Sequence, residues 1–279
     1  VYLNPYTGEV LRVKDMERDF FHWVLDGHFY LWLPPAIGQP LVATTTLLFV
    51  FMLISGIVLW WPRNRAAARQ RFWFKWKEGL QWKRKNYDLH NILGFYSSWV
   101  VIVLALTGLV WGFQWFAGSV YWLAGGTKST VFQDAVSNVA RKTHITAQAP
   151  AIDRIWHRIQ AESPTAKTIE VHIPDSDTAS IAVNINSEAG TYWKTDYRYF
   201  DQYSLDELPV GHVYGRFKDA RAADKLFRMN YDIHVGAIWG LPGKILAFCI
   251  SLIAASLPVT GFLIWWGRRR KKAKAIPAP

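Results

Sequence analysis

Three histidines recur in one local setting. Asp26-Gly27-His28, Asp88-Leu89-His90 and Asp232-Ile233-His234 each stand before a long apolar run. Imidazole is a common axial ligand of haem iron, and a nearby carboxylate that accepts the other ring N–H can orient such a ligand. A lone histidine at a helix boundary reads as a solvated or packed residue, whereas three at equivalent places read as a ligand set. The three aspartates fit ordinary helix caps better than acceptors for the rings. His22, His144, His157, His172 and His212 lie outside the repeat, and His22 is near enough to His28 to stand in for it as a ligand.

A second repeat sits within the apolar runs themselves. Ser55-Gly56, Thr107-Gly108 and Thr260-Gly261 each pair a small hydroxyl residue with glycine. Such a pair lets another helix or a flat ring approach closely. His28 precedes Gly56 by 28 residues and His234 precedes Gly261 by 27, so these two units match in length as well as content. The one cysteine, Cys249, excludes an intramolecular disulfide, a thiolate metal cage and covalent haem attachment through Cys-x-x-Cys-His. Any haem is therefore held by non-covalent contacts and its axial ligands.

The elements that position these residues are spanning helices. Residues 42–61, 92–116 and 245–266 carry no charge, and about 20 apolar residues suffice to cross a bilayer core. Hydrophobic residues make up 51% of the chain, and its 16 Trp and 12 Tyr suit the membrane boundary. The net charge of +11 is clustered, which makes it a topological signal and excludes nucleic acid as its explanation. Residues 62–85 hold nine Lys/Arg against Glu78, and Arg268 to Lys272 with Lys274 form a second basic cluster. Both are expected on the cytoplasmic side. Residues 117–240 hold 13 Lys/Arg and 14 Asp/Glu, the balance of a folded domain in the outer compartment.

That domain reads as α+β, with a helix near residues 152–161 and strands at 168–173, 180–186 and 191–200. The chain divides into a lead-in at 1–41, a span at 42–61, a basic loop at 62–91, a span at 92–116, the outer domain with its lead-in at 117–244, a span at 245–266 and a basic tail at 267–279. His28 and His234 both precede spans running inward, so they can share one iron near the outer face. His90 begins an outward span and stands roughly 30 Å away at the other face. Trp115, Trp122 and Trp239 fall near the outer face, as belt residues or as the lining of a substrate entry.

Asn4-Pro5-Tyr6-Thr7-Gly8-Glu9-Val10, Asp88-Leu89-His90 with Gly94 and Leu106-Thr107-Gly108, and Ile233-His234-Val235-Gly236 with Val259-Thr260-Gly261 together resemble the PepSY-associated transmembrane family. That family includes inner-membrane ferric-siderophore reductases of Gram-negative bacteria, and the resemblance covers nearly the whole chain. It implies a membrane α-helical bundle with a small α+β PepSY-like periplasmic domain, three spans here and four in the full protein. It further implies two b-type haems, with His28 and His234 on one and His90 on the other, the second ligand of His90 coming from a further helix. Electrons would pass from an inner donor, a quinol or a flavoprotein, to a periplasmic ferric siderophore, in a multi-pass protein of the bacterial inner membrane with a cytoplasmic C-terminus. Two other readings are a haem subunit serving a different acceptor and a haem-free PepSY membrane protein that binds a periplasmic partner.

Overall fold

A computed structural model describes residues 1–4, 6–144 and 149–274, with side chains at all of these except 70, 143–144 and 270–274. Pro5, the side chain of His144 and the basic side chains from Arg270 onward lie outside the described set. The chain opens with β1 (Tyr2–Leu3) and β2 (Val10–Arg12), an antiparallel pair. Helix α1 (Phe20–Tyr30) starts where Asp19 accepts the Phe21 amide, which satisfies one of the free N–H groups of the first turn. Leu31 and Trp32, both left-handed, turn the chain into α2 (Pro35–Trp60), whose first residue is a proline that needs no amide partner there. At this elbow Gly38 lies against the Tyr30 carbonyl, where a Cβ would come within 2.2 Å of the oxygen.

The short helices α3 (Arg65–Arg71) and α4 (Trp82–Asp88) follow in the basic loop, and a π-helical turn at Leu89–Leu93 joins α4 to α5 (Gly94–Gly112). Phe113 is extended (φ −135°) and breaks the helix before α6 (Gln114–Leu123). The apolar run 92–116 therefore crosses a junction that composition alone does not reveal. Next come α7 (Ala151–Glu162), β3 (Thr168–His172), β4 (Ile181–Asn186), β5 (Asp196–Phe200), β6 (Glu207–Leu208), α8 (Ala222–His234) and α9 (Gly240–Lys274).

Three segments are long and apolar enough to cross a membrane: Pro35–Trp60, Trp82–Gly112 and Ala237–Arg269. Exposed Leu48, Phe51, Met52, Leu59, Phe248 and Leu252 leave α2 and α9 apolar toward their surroundings, as lipid-facing helices are. Helix α5 is the spine of the bundle. It packs on α2 through Val50, Ala105 and Leu109, and Gly94 faces Leu257 of α9. The four-stranded antiparallel sheet, in order β3-β4-β5-β6, buries Ile181, Val183, Ile185 and Phe200 against Ile155 and Ile159 of α7. Strand periodicity places the alternate residues 181, 183 and 185 on one face. The third strand starts at Asp196 because residues 192–193 are held elsewhere, their amides donating to Asp232 of α8 at 2.9 Å each.

Charged clips fix α8 to the domain. The Arg228 guanidinium donates to the Val213, Thr195 and Gly215 carbonyls. Asp224 accepts from the Tyr121 hydroxyl, from Lys128 Nζ at 2.9 Å and from the Arg221 amide. Burial alone would raise the Asp224 carboxyl, but these donors outweigh it and hold the group below the usual carboxylate range. A carboxylate with a depressed folded pKa stabilises fully above its unfolded pKa, about 4, and that contribution fades as pH falls toward the folded value. The stability gap between the wild type and Asp224→Asn, from urea unfolding followed by near-UV circular dichroism, is thus expected to stay constant above about pH 4 and to narrow below it. A gap that widens on acidification contradicts the clip.

Candidate functional site

A threonine hydroxyl within an apolar helix bonds back to its own chain. Thr107 Oγ1 donates to the Val103 and Leu104 carbonyls at 2.8 and 2.9 Å. With its hydrogen committed, the oxygen accepts from His234 Nδ1 at 2.9 Å, and the Leu104 carbonyl lies 3.0 Å from the same nitrogen. Both neighbours are acceptors, so Nδ1 carries the ring proton and Nε2 keeps a free lone pair. Four residues earlier on α8, Asn230 Nδ2 donates to the Thr107 carbonyl at 3.0 Å. The two side chains lie one helical turn apart on one face and grip Thr107 by its hydroxyl and its backbone. Gly108 gives the ring its seat, since a Cβ there would lie 3.4 Å from His234 Cε1, and Trp111 meets the ring edge-on at 5.2 Å.

The same clamp stands at the other end of α5. Thr260 Oγ1 donates to the Ser256 and Leu257 carbonyls and accepts from His90 Nδ1 at 2.9 Å. Asn86 Nδ2 donates to the Thr260 carbonyl at 3.0 Å, and a Cβ at Gly261 would lie 3.1 Å from His90 Cε1. The repeated unit is thus Asn-Tyr-Asp-Leu-His at 86–90 and Asn-Tyr-Asp-Ile-His at 230–234. Sequence reasoning stopped at Asp-x-His and missed the asparagines, although extending the alignment by two residues reveals them. The tyrosines match as well, Tyr87 lying beside Trp60 and Tyr231 beside Trp111.

His28 and His234 are brought together, with ring centroids 6.1 Å apart. His28 has Val24 and Leu25 in place of Asn-Tyr, and its ring makes no hydrogen bond among the described residues. His22 sits 3.7 Å from Asp26 on the same helix, and its ring does not meet His234. His90 stands at the opposite end of α5, roughly 25 Å of helix away from Thr107. It lines a cavity of 320 Å³ together with Trp60, Tyr87, Asn91, Gly261 and Arg268. The capping role expected of the aspartates is not what they do. Asp88 pairs with Arg84 at 3.1 Å, Asp26 faces His22, and the fully buried Asp232 anchors the 192–193 turn. The third hydroxyl-glycine pair also differs, because among the described residues Ser55 bonds only its own helix, at the Met52 carbonyl, and a Cβ at Gly56 would meet nothing within 4 Å. Trp115, Trp122 and Trp239 are all exposed.

No cluster of three or more metal-ligating side chains occurs among the described residues. A facing pair of imidazoles suits a metal that brings its own equatorial ligands, as haem iron does. Two in-line metal–imidazole bonds of about 2 Å each, with the ring radii added, separate centroids by about 6 Å, and the 6.1 Å between the His28 and His234 centroids matches that separation.

Membrane-crossing helices gathered on α5, with a small α+β domain between the second and third crossings, make this a multi-pass membrane protein. The chain belongs to the family described as the PepSY-associated TM region, whose model matches residues 1–268. No curated protein matches its sequence.

The two seats differ in tightness. Alanine in a helix is favoured over glycine by about 0.5–1 kcal/mol, whereas overpacking costs about 1–3 kcal/mol. Gly108→Ala, at 3.4 Å from the ring, is expected to leave thermal stability unchanged or slightly raised, and Gly261→Ala, at 3.1 Å, to lower it by about 1 kcal/mol. Equal effects on the unfolding midpoint would show that the histidines do not occupy these seats.

Proposed function

We propose that this protein is a haem-containing oxidoreductase of the bacterial inner membrane that passes electrons outward to a periplasmic ferric siderophore. The observation that carries the reading is the pair of matching Asn–Thr–His clamps, which present histidines with a free Nε2 at both ends of one membrane-crossing helix. Bound haem supplies a reversible one-electron iron couple. His234 and His28 are the proposed ligands of the outer haem, and His90 is a ligand of the inner one. Thr107 and Thr260 hold the tautomer in which Nε2 binds metal, and the surrounding apolar helices exclude water.

Among the described residues no second histidine ring meets His90. Its counterpart is proposed to come from a helix seated on the open face of Ser55-Gly56, at the same end of the bundle as Thr260-Gly261. The basic loop and tail support an inner location for that end by the positive-inside rule. One electron drawn from an inner quinol or flavoprotein converts chelated Fe(III) to Fe(II). The softer, less charged ion is bound more weakly by hard oxygen ligands and is released. A hydrophilic chelate stays outside the hydrocarbon layer because its desolvation is costly, so the substrate is expected to meet the α+β domain and the adjoining helix ends.

Reduced-minus-oxidised spectra with haem quantification test the reading. Two low-spin haems are expected in the full-length protein, with His234→Ala or His28→Ala removing about half of the haem, His90→Ala the other half, and His22→Ala none. A purified full-length protein without haem, or one that keeps all its haem in the His90 and His234 variants, refutes the proposal.

A further inference from the structure

The repeat carried by the crossing helices runs further than the hydroxyl-glycine pair. Ser55-Gly56 is followed by Trp60-Trp61-Pro62-Arg63 and Thr260-Gly261 by Trp265-Trp266-Gly267-Arg268, so an arginine stands seven residues after each glycine. Seven residues make two helical turns to within about 20°, which puts glycine and arginine on one face wherever the helix is unbroken. In the first copy it breaks. Helix α2 stops at Trp60, Pro62 has no amide to continue it, and Arg71 donates to the Trp60 and Trp61 carbonyls at 2.8 and 3.3 Å. In the second copy Gly267 stands where the proline was, and α9 runs on to Lys274. Arg268 thereby stays in register with Gly261, about 10 Å further along the axis.

Gly261, Ile264 and Arg268 of α9 all line the 320 Å³ cavity that His90 also lines, a volume within the range of small-molecule sites. Trp60, Tyr87 and Asn91 complete the lining, so no carboxylate belongs to it and Arg268 is its one permanently charged residue. Arg268 is exposed and has no ion pair or hydrogen bond among the described residues. Asp88, two residues before His90, is committed to Arg84 at 3.1 Å. The next arginine is engaged differently, the Arg269 guanidinium lying over the Trp265 ring at 4.6 Å. The cavity thus offers a free imidazole nitrogen and an uncommitted, accessible guanidinium on one wall system of mostly apolar character. A ligand that satisfies both carries a metal and a carboxylate. Haem carries both, its propionates being its anionic edge.

Resting on the haem reading above, we infer that Arg268 pairs with a propionate of the haem that His90 binds. The guanidinium fork matches a carboxylate in shape as well as in charge, and charge-assisted pairs of this kind are the strong ones. A cation that neutralises a carboxylate beside the iron also favours the reduced state, since an added electron then meets less negative charge.

Optical redox titration of the full-length protein in phosphatidylcholine nanodiscs tests this, the inner haem being the component that His90→Ala removes. Arg268→Gln is expected to lower the midpoint of that component, to leave the other unchanged, and to speed loss of the inner haem to a scavenger about threefold. Arg268→Lys is expected to recover most of the shift. Arg269→Gln, which removes an equal charge one residue on, is expected to cause none. Complete loss of the inner haem from Arg268→Gln supports the pairing if near-UV circular dichroism shows the variant folded and Arg269→Gln keeps its haem. Nanodiscs containing phosphatidylglycerol bring in the other source of negative charge, and an Arg268→Gln effect seen only there assigns the guanidinium to lipid headgroups and overturns the inference. An unchanged inner midpoint in Arg268→Gln, or an equal shift in Arg269→Gln, overturns it too while leaving the haem reading in place. A full-length protein without haem overturns both.

Discussion

A hydroxyl on an apolar helix has no water to bond, so its hydrogen goes back to the carbonyl one turn earlier and its oxygen is left as an acceptor pointing sideways. Thr107 and Thr260 are in this state, and each accepts the Nδ1–H of a histidine from a neighbouring helix. An asparagine one turn before each histidine takes the carbonyl of the same threonine. Glycine beside the threonine lets the ring lie close to the backbone. Hydrogen bonds between helices in such surroundings contribute only modestly to stability. Their larger effect is directional, because they set the ring's height, tilt and tautomer together.

Helix α5 takes part in both clamps in opposite senses. At one end it offers Thr107 to His234 of α8, and at the other the segment leading into it sends Asn86 and His90 to α9. The three elements are thereby fixed in register along one line. Helix α8 extends that line into the α+β domain through Arg228, Asp232 and Asp224. A change in the domain that moves α8 therefore moves His234 as well, and with it the separation from His28. His28 is placed differently, by the left-handed elbow after α1 and by Gly38 against Tyr30, without a hydroxyl seat of its own.

Much of this was legible in the residue pattern, and what was missed has physical causes. Uncharged apolar runs announced the crossings because hydrocarbon leaves few alternatives. Alternation announced β3 and β4, and the recurrence of Asp-x-His marked His90 and His234, which the fold brings to the two clamps, together with His28, which has none. The break at Phe113 was hidden because both sides of it are equally apolar. Residues 191–195 read as strand, but Asp232 captures their amides from another helix, a contact that no local pattern encodes. Their position before the spans suggests helix caps for the aspartates, whereas they lie within or at the end of helices and bond elsewhere. Ser55-Gly56 looks equivalent to the other two pairs in sequence, yet its face is open.

Histidine-selective ¹⁵N NMR of the metal-free chain in nanodiscs reports directly on the ring proton that the clamps are held to fix. His90 and His234 are expected to give the Nδ1-protonated, Nε2-free signature, and Thr107→Val and Thr260→Val are expected to disturb that signature each at its own histidine. Nε2-protonated rings in the wild type, or signatures indifferent to the loss of the threonine hydroxyls, would contradict the account at its centre.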